Sequence, residues 1–290
     1  MHVIDILPMV PDPMLGIGYP MAPVEDLIRL AQLRWSGFVP APGKKNVVFN
    51  IEIGSARERI LERVLRDKPD LLVIGAHSTE DKARAIGTTA AACAQRAATR
   101  VMVVREGQAG PCRSITVCVD FSDTSRSALE QAIRLAAEDG AALHVLHVYR
   151  DPWHGLDRPE QVRDVMPDFN EKFERAMQDR LRAFCQPLAH EMSALKAEYH
   201  ARLARTHAEG IIAFVQRTGC DLVVLGTRGK WNLRDYFWGS TAERVVRDCP
   251  CSILAVKPQG FRQETVYQPL ADSQAVHDTE ERGVLPPVGA

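Results

Sequence analysis

One stretch of this chain occurs twice, and that duplication limits what the chain can fold into. Asp70-Leu-Leu-Val-Ile-Gly75 returns as Asp221-Leu-Val-Val-Leu-Gly226, Gly87-Thr88-Thr89-Ala90 as Gly239-Ser240-Thr241-Ala242, and Arg100-Val-Met-Val-Val104 as Ser252-Ile-Leu-Ala-Val256. The offset is 151 residues at the first match and 152 at the other two, so one single-residue gap aligns them. A period this long describes two copies of a domain rather than a solenoid of small units. The expected division is 1–107 for a first, degenerate copy, 113–258 for a complete second copy, and 259–290 for a polar, flexible tail.

The second copy reads as alternating strand and helix. Ile115–Val119 is a short apolar run, followed from Ser125 to Glu138 by Ala128, Leu129, Ala132, Ile133, Leu135 and Ala136 on one helical stripe that Gly140 stops. Ala142–Val148 is a second strand, and residues 150–168, with Pro152, Pro159 and Pro167, read as a loop. A helix from Phe169 toward Leu195 should kink or end at Pro187. A weak strand near Tyr199, a helix over His207–Arg217, a strand over Leu222–Leu225, a helix from Thr241 and a strand over Ser252–Val256 complete the order. The strands are continuous apolar runs, the pattern of a parallel sheet covered by helices on both faces. Ligands of such sheets sit beyond the carboxyl ends of the strands, where strand order reverses.

Composition removes several classes of function. The 290 residues carry 36 basic and 37 acidic side chains, a formal charge of −1, which leaves no electrostatic footprint for nucleic acid or an anionic membrane. No apolar run approaches the ~18 residues of a membrane helix, and the amino terminus has no basic segment of a signal peptide. The expected setting is cytoplasmic. Seven scattered cysteines, an odd number, read as reduced thiols. Cys249-Pro250-Cys251 lacks the second pair or histidine of a zinc site, and His190-Glu191 lacks the second histidine of a metalloprotease helix, so no metal ligands are assigned.

The chemistry concentrates after the strand Leu222–Leu225. Gly226-Thr227-Arg228-Gly229 is followed by nine residues and then by Gly239-Ser240-Thr241 opening a helix. Glycines at a strand end let the backbone approach a ligand, and the bare amides at a helix start attract anions. Ser240 can donate to phosphate or cap the helix, while Arg228, Lys230 and Arg234 can balance phosphate charge. The chain contains neither a Walker A loop nor a Gly-x-Gly-x-x-Gly fingerprint.

Gly-x2-Gly-x9-Gly-[Ser/Thr] resembles the nucleotide-binding signature of the universal stress protein family. Val117–Ser122 with Ser127-Ala128-Leu129 looks like that family's first strand and its turn into helix one, and Leu146-His147-Val148 like its second strand. The resemblance implies two tandem open parallel five-stranded sheets, order 3-2-1-4-5, with helices on both faces. It implies ATP as ligand, with Mg²⁺ as an optional companion. Asp120 would contact the adenine-ribose end, Val148 would meet adenine through its backbone, Gly226, Gly229, Gly239 and Ser240 would cradle phosphates, and Thr241 would add an amide. The plain alternative for Asp120 is a turn residue before helix one, alongside Ser122 and Ser125. The terminal strands Arg100–Val104 and Ser252–Val256 would meet across a pseudo-twofold, making an intramolecular pseudo-dimer or supporting a homodimer.

The first copy departs from this pattern. Its loop reads Gly75-Ala76-His77-Ser78, then eight residues, then Gly87-Thr88, with serine in place of the second glycine. Met1-His2-Val3 aligns with Leu146-His147-Val148, so the first strand and helix of this copy, with the counterpart of Asp120, are missing. Either the flanking strands close up, or Met1 is an internal start; the second is the favoured expectation. Function is therefore expected to be nucleotide-dependent binding or regulation in a stress response, through the second copy alone. Slow ATP hydrolysis or group transfer is one alternative, for which Asp235 is the only loop carboxylate, and a ligand-free pairing scaffold is the other.

Overall fold

The computed structural model describes residues 2–4, 24–36, 50–76, 86–107, 110–151, 168–228 and 239–261. The second copy begins at β5 (Ser114–Cys118), continues through α4 (Asp123–Asp139), β6 (Ala142–Tyr149), α5 (Phe169–Cys185) and the short α6 (Ala189–Met192), then β7 (Ala197–Leu203), α7 (His207–Thr218), β8 (Leu222–Gly226), α8 (Ser240–Asp248) and β9 (Ser252–Val256). Pro187 does end α5: it sits in a 3₁₀ turn over Gln186–Leu188, where a proline needs no amide donor. Ser122 and Ser125 form a reciprocal capping box at the start of α4, and Gly140 closes that helix at φ 67°.

These strands pair in parallel in the order β9-β8-β5-β6-β7, which is 5-4-1-2-3 within the copy. Helices α7 and α8 bury Phe214, Val215, Val245 and Val246 on one face of the sheet. On the other, α4 and α5 bury Ala128, Leu129, Ala132 and Leu181 against Ile115, Val117, Leu143 and Val145. Covering both faces explains why β8 and β9 are buried at nearly every position.

The first copy supplies β1 (His2–Ile4), α1 (Val24–Ser36), β2 (Ile51–Ile53), α2 (Ala56–Asp67), β3 (Leu71–Gly75), α3 (Thr88–Arg96) and β4 (Arg100–Val104). The expected first copy without its first strand takes a particular form here, and the sheets of the two copies are not separate. β1 pairs with β2 in a separate two-stranded sheet, while β3 and β4 join the second copy in one seven-stranded sheet, β3-β4-β9-β8-β5-β6-β7. The strand that would bridge β1 to β3, the counterpart of β5, has no equivalent among the described residues, and β1 and β3 do not close up. The consequence shows on β3: Leu71 and Val73 are 39% and 57% exposed, whereas their counterparts Leu222 and Val224 on β8 are at 1% and 0% beneath α4.

The two copies meet through β4 and β9, which pair antiparallel with Val101 opposite Ala255, Met102 opposite Leu254 and Val103 opposite Ile253. At the offset of the repeat Met102 corresponds to Leu254 and Val101 to Ile253. The register is therefore self-symmetric, and a local twofold passes through the Met102–Leu254 pair. One pair of polar contacts obeys it too. Arg105 Nη2 donates to the carbonyl of Arg247 at the end of α8 at 3.3 Å, and its counterpart Lys257 Nζ donates to Gln95 O at 2.8 Å and to Ala94 O at the end of α3. Each copy thus places a basic side chain on the last carbonyls of the other copy's final helix, where the helix dipole favours it.

Candidate functional site

Strand order reverses between β5 and β8: β5 leads through α4 to β6 on one side, while β8 and β9 lie on the other. In register, Cys118 stands beside Leu225 and Leu146, so the ends of β5, β6 and β8 open on one edge of the sheet. Asp120, Val148, Gly226, Gly239, Ser240 and Thr241 all lie at this edge. Gly229, with the loop residues Lys230, Arg234 and Asp235, lies outside the described residues, as does Ser78 of the first copy.

The glycines serve different ends. A Cβ on Gly226 would stand 2.9 Å from Thr124 Cγ2 and 3.3 Å from the Thr124 carbonyl carbon, so this glycine lets the first turn of α4 pack directly on the end of β8. At Gly239 the nearest atom to such a Cβ is Thr227 O at 3.8 Å, an ordinary contact. The Gly239 amide donates to Thr227 O at 3.2 Å and closes the loop at its base. Gly239 is the N-cap of α8, and Glu243 N is the helix amide that returns to its carbonyl. The amides of Ser240, Thr241 and Ala242 precede that bond and have no intrahelical acceptor, which makes the helix start a place for negative charge. Ser240 is exposed and Thr241 half-buried.

Across the crevice, Asp120 Oδ1 accepts from Ser122 Oγ at 2.5 Å and from Ser122 N at 3.1 Å, so its carboxylate shapes the turn into α4. The next residue, Phe121, is held at φ 65°, a strained conformation for a bulky side chain. That turn packs the ring 4.3 Å from His147 and 5.6 Å from Phe184, under the Arg180 guanidinium at 4.3 Å. His147 Nδ1 lies 2.7 Å from Val119 O, an acceptor only, so the proton resides on Nδ1. Burial holds the pKa of His147 below its ordinary value. Burial lowers His207 as well, helped by Arg150, while Asp120 acts the other way. Val148 is buried against Gly210 and Ala204, and beyond it Arg150, Asp151, Leu203, Ala204 and Arg205 line a cleft of about 250 Å³. Phe121 and His147 entered the sequence reading only as parts of the strand motifs, and Arg180 not at all. Neither a left-handed phenylalanine nor an arginine arriving from a helix some sixty residues away leaves a local signal.

The first copy keeps the loop base and lacks the opposite wall. Gly87 N donates to Ala76 O at 2.7 Å, as Gly239 does to Thr227, and α3 starts at Thr88 as α8 starts at Ser240. The described residues hold no counterpart there of Asp120 or α4. All seven cysteines are free thiols, and burial pushes Cys93 and Cys185 up to about 11, out of the reactive range. Cys249 and Cys251 are buried with their sulfurs 3.6 Å apart, beyond disulfide length.

A doubly wound parallel sheet, with its strand order reversing between β5 and β8 and a helix start behind Gly239, defines an open α/β class of domain, whose repeated segments occur twice in this chain. The universal stress protein family matches this chain twice, over residues 1–105 and 111–257, and the chain belongs to that family of stress-response proteins. Single-copy relatives align with about half of it: a universal stress protein of Methanocaldococcus jannaschii at 26% identity over 161 residues, 53% of this chain and 87% of the relative, and one of Thermus aquaticus at 29% over 147 residues, 50% and 98%. Two solved structures share the fold at 17% identity. One, a protein of unknown function from Pseudomonas aeruginosa, has a TM-score of 0.57 over 83% of this chain and 80% of its own. The other, a universal stress protein from Archaeoglobus fulgidus, has a TM-score of 0.52 over 82% and 83%. Among the described residues no helix is long and apolar enough to cross a membrane.

Proposed function

We propose that the second copy binds ATP at the carboxyl ends of β5, β6 and β8, and that the chain acts as a nucleotide-dependent regulatory module. The observation that carries this reading is the start of α8. Its first-turn amides at Ser240, Thr241 and Ala242 lie at the crevice edge behind Gly239, whose missing Cβ no atom of the described residues requires. A glycine that packing does not demand, at an anion-attracting helix start, is suited to backbone approach by a phosphate. Arg228 lies at the same loop, and Asp120, at the opposite wall, would meet the ribose end by exchanging its bond to Ser122 for a hydroxyl. Mg²⁺, where it accompanies the nucleotide, would be held chiefly by the phosphates themselves. The first copy, without the Asp120 wall, serves as a structural partner.

Calorimetric titration of the full chain with ATP tests this. One equivalent binds the parent protein, Gly239→Val and Gly229→Val abolish binding, and Ser240→Ala weakens it by about 1–2 kcal/mol, the scale of one hydrogen bond to a charged group. Two equivalents per chain, or full binding by Gly239→Val, would sink the assignment. A pairing scaffold without ligand is the second reading, favoured by the self-symmetric β4–β9 contact, which uses no ligand. A folded chain that binds no nucleotide would leave that reading standing.

A further inference from the structure

On the α7 face of the sheet, away from the nucleotide crevice, three side chains converge. His144 on β6 stands in register with Glu198 on β7, and His200 lies two residues further along the same face of β7. His144 Nδ1 is 3.2 Å from His200 Nε2 and 3.6 Å from Glu198 Oε2, and His200 Nε2 is 3.4 Å from that same oxygen. We propose that His144, Glu198 and His200 form a binding site for a divalent transition-metal ion, zinc in the first instance, that pins the edge strand β7 to β6.

The distances carry the argument. Zinc binds histidine nitrogen and carboxylate oxygen at about 2.0–2.2 Å in a tetrahedron, which sets neighbouring ligand atoms about 3.3 Å apart. The three separations straddle that value, so one ion within about 2 Å of all three atoms completes the triangle. Hydrogen bonding competes, since each neutral imidazole can turn one N–H to the Glu198 carboxylate, but at 3.6 and 3.4 Å those bonds are long. With both protons on the other ring nitrogens, two imidazole nitrogens and a carboxylate oxygen offer three electron pairs within 3.6 Å of one another. Two imidazoles and one carboxylate, with the fourth position open to water, are a ligand set that zinc accepts.

The surroundings fit a bound ion. Both histidine side chains are largely buried, at 15% and 14% exposure, and Glu198, at 66%, leaves a path from solvent. Phe214 of α7 packs against both imidazoles, 5.9 Å from His144 and 4.8 Å from His200, which fixes their rings before an ion arrives. Arg202, two residues along β7 from His200, and Arg217, over the Phe214 ring, oppose a cation, so micromolar affinity is expected. Val148, at the nucleotide edge, lies four residues further along β6 than His144, about 13 Å at the rise of a strand. The proposal is thus separable from ATP binding.

The signal was present in the sequence as Glu198-x-His200, two same-face positions of a strand. It needed the β6–β7 register to bring His144 alongside.

The test uses the full chain stripped with chelator and titrated with zinc chloride alone, followed by calorimetry and thermal unfolding, with cobalt(II) as a spectroscopic substitute. One equivalent binds, the melting temperature rises, and cobalt gives a tetrahedral spectrum without a thiolate charge-transfer band. Glu198→Gln, an exposed change that leaves the fold intact, weakens zinc by at least about tenfold, as much as loss of an outer-shell partner or more, and His200→Gln removes the melting shift. ATP binding by Glu198→Gln is unchanged, which separates failure here from failure of the nucleotide reading. Absence of zinc binding by the parent chain, undiminished binding by both variants, or a thiolate band placing the ion at Cys249 and Cys251 overturns the proposal.

Discussion

At the scale of single residues, the two glycines that bound the loop are not equivalent. Gly226→Ala forces a methyl to within 2.9 Å of Thr124, with the backbone of α4 directly behind it, and should cost about 1–3 kcal/mol in urea unfolding. Gly239 already has the φ −65°, ψ 135° of any residue, so Gly239→Ala should leave stability within about 0.5 kcal/mol while reducing nucleotide affinity. Equal destabilisation by the two would contradict this division. His147 gives a pH signature. Its folded pKa lies below the unfolded value of 6.5, because burial outweighs the bond to Val119. At pH values below about 6.5 the unfolded chain binds the proton more readily, so the stability His147 contributes above that pH is lost as pH falls through its folded value. His200 and His207 have the same sign. His147→Gln, whose amide can still donate to Val119 O, should therefore flatten the acid side of the stability profile measured by urea unfolding across pH 4.5–7.5, roughly the range in which histidine titrates. An unchanged slope would remove His147 from the account.

At the scale of elements, β3 and β8 are nearly the same sequence in different surroundings. β8 lies between β5 and β9 with α4 over Leu222 and Val224; β3 has β4 on one side and no partner strand among the described residues on the other. Val224→Thr buries a hydroxyl among Leu254, Val256 and α4 and should cost about 1–3 kcal/mol. Val73→Thr, at a position 57% exposed, should stay within about 0.5 kcal/mol. Similar losses at both sites, in parallel chemical denaturations, would mean that something covers β3 in solution. The repeat was plain in these two strands, and so was the strand-helix alternation that assigned them to a parallel sheet. What could not be read was their difference, because exposure of Val73 depends on a neighbour in space and not on its own flanking residues.

At the scale of the whole molecule, the halves are joined by the β4–β9 register, a shared apolar core and polar contacts that include two basic side chains. Lys257 is mostly buried beneath the end of α3, and burial lowers its pKa to about 7, so near neutrality the amine donates to Ala94 and Gln95 with or without its third proton. Removing it as Lys257→Met should loosen the contact of α3 with β9 and cost about 1–3 kcal/mol. Hydrogen exchange should report the loss first in α3 and β4, ahead of β5 and β6. Arg105→Met should act on the end of α8 instead. A variant whose exchange rises uniformly over both copies would count against a crossed pair of helix-end contacts.

The sequence by itself determined the duplication, the α/β class and the glycines at the end of β8 and the start of α8 where the site is proposed, because each rests on local residue patterns: apolar runs, helical stripes, glycine spacing. The reading of terminal strands meeting across a twofold also held, at β4 and β9. Only the tertiary structure decided that the two sheets fuse into one of seven strands, with β1 and β2 set apart. It also assigned Gly226 to packing against Thr124, and brought His144 beside Glu198 and His200. Those outcomes depend on which strands lie side by side, and hydrogen-bond partners and packing neighbours are chosen by burial across the chain, not by the residues on either side.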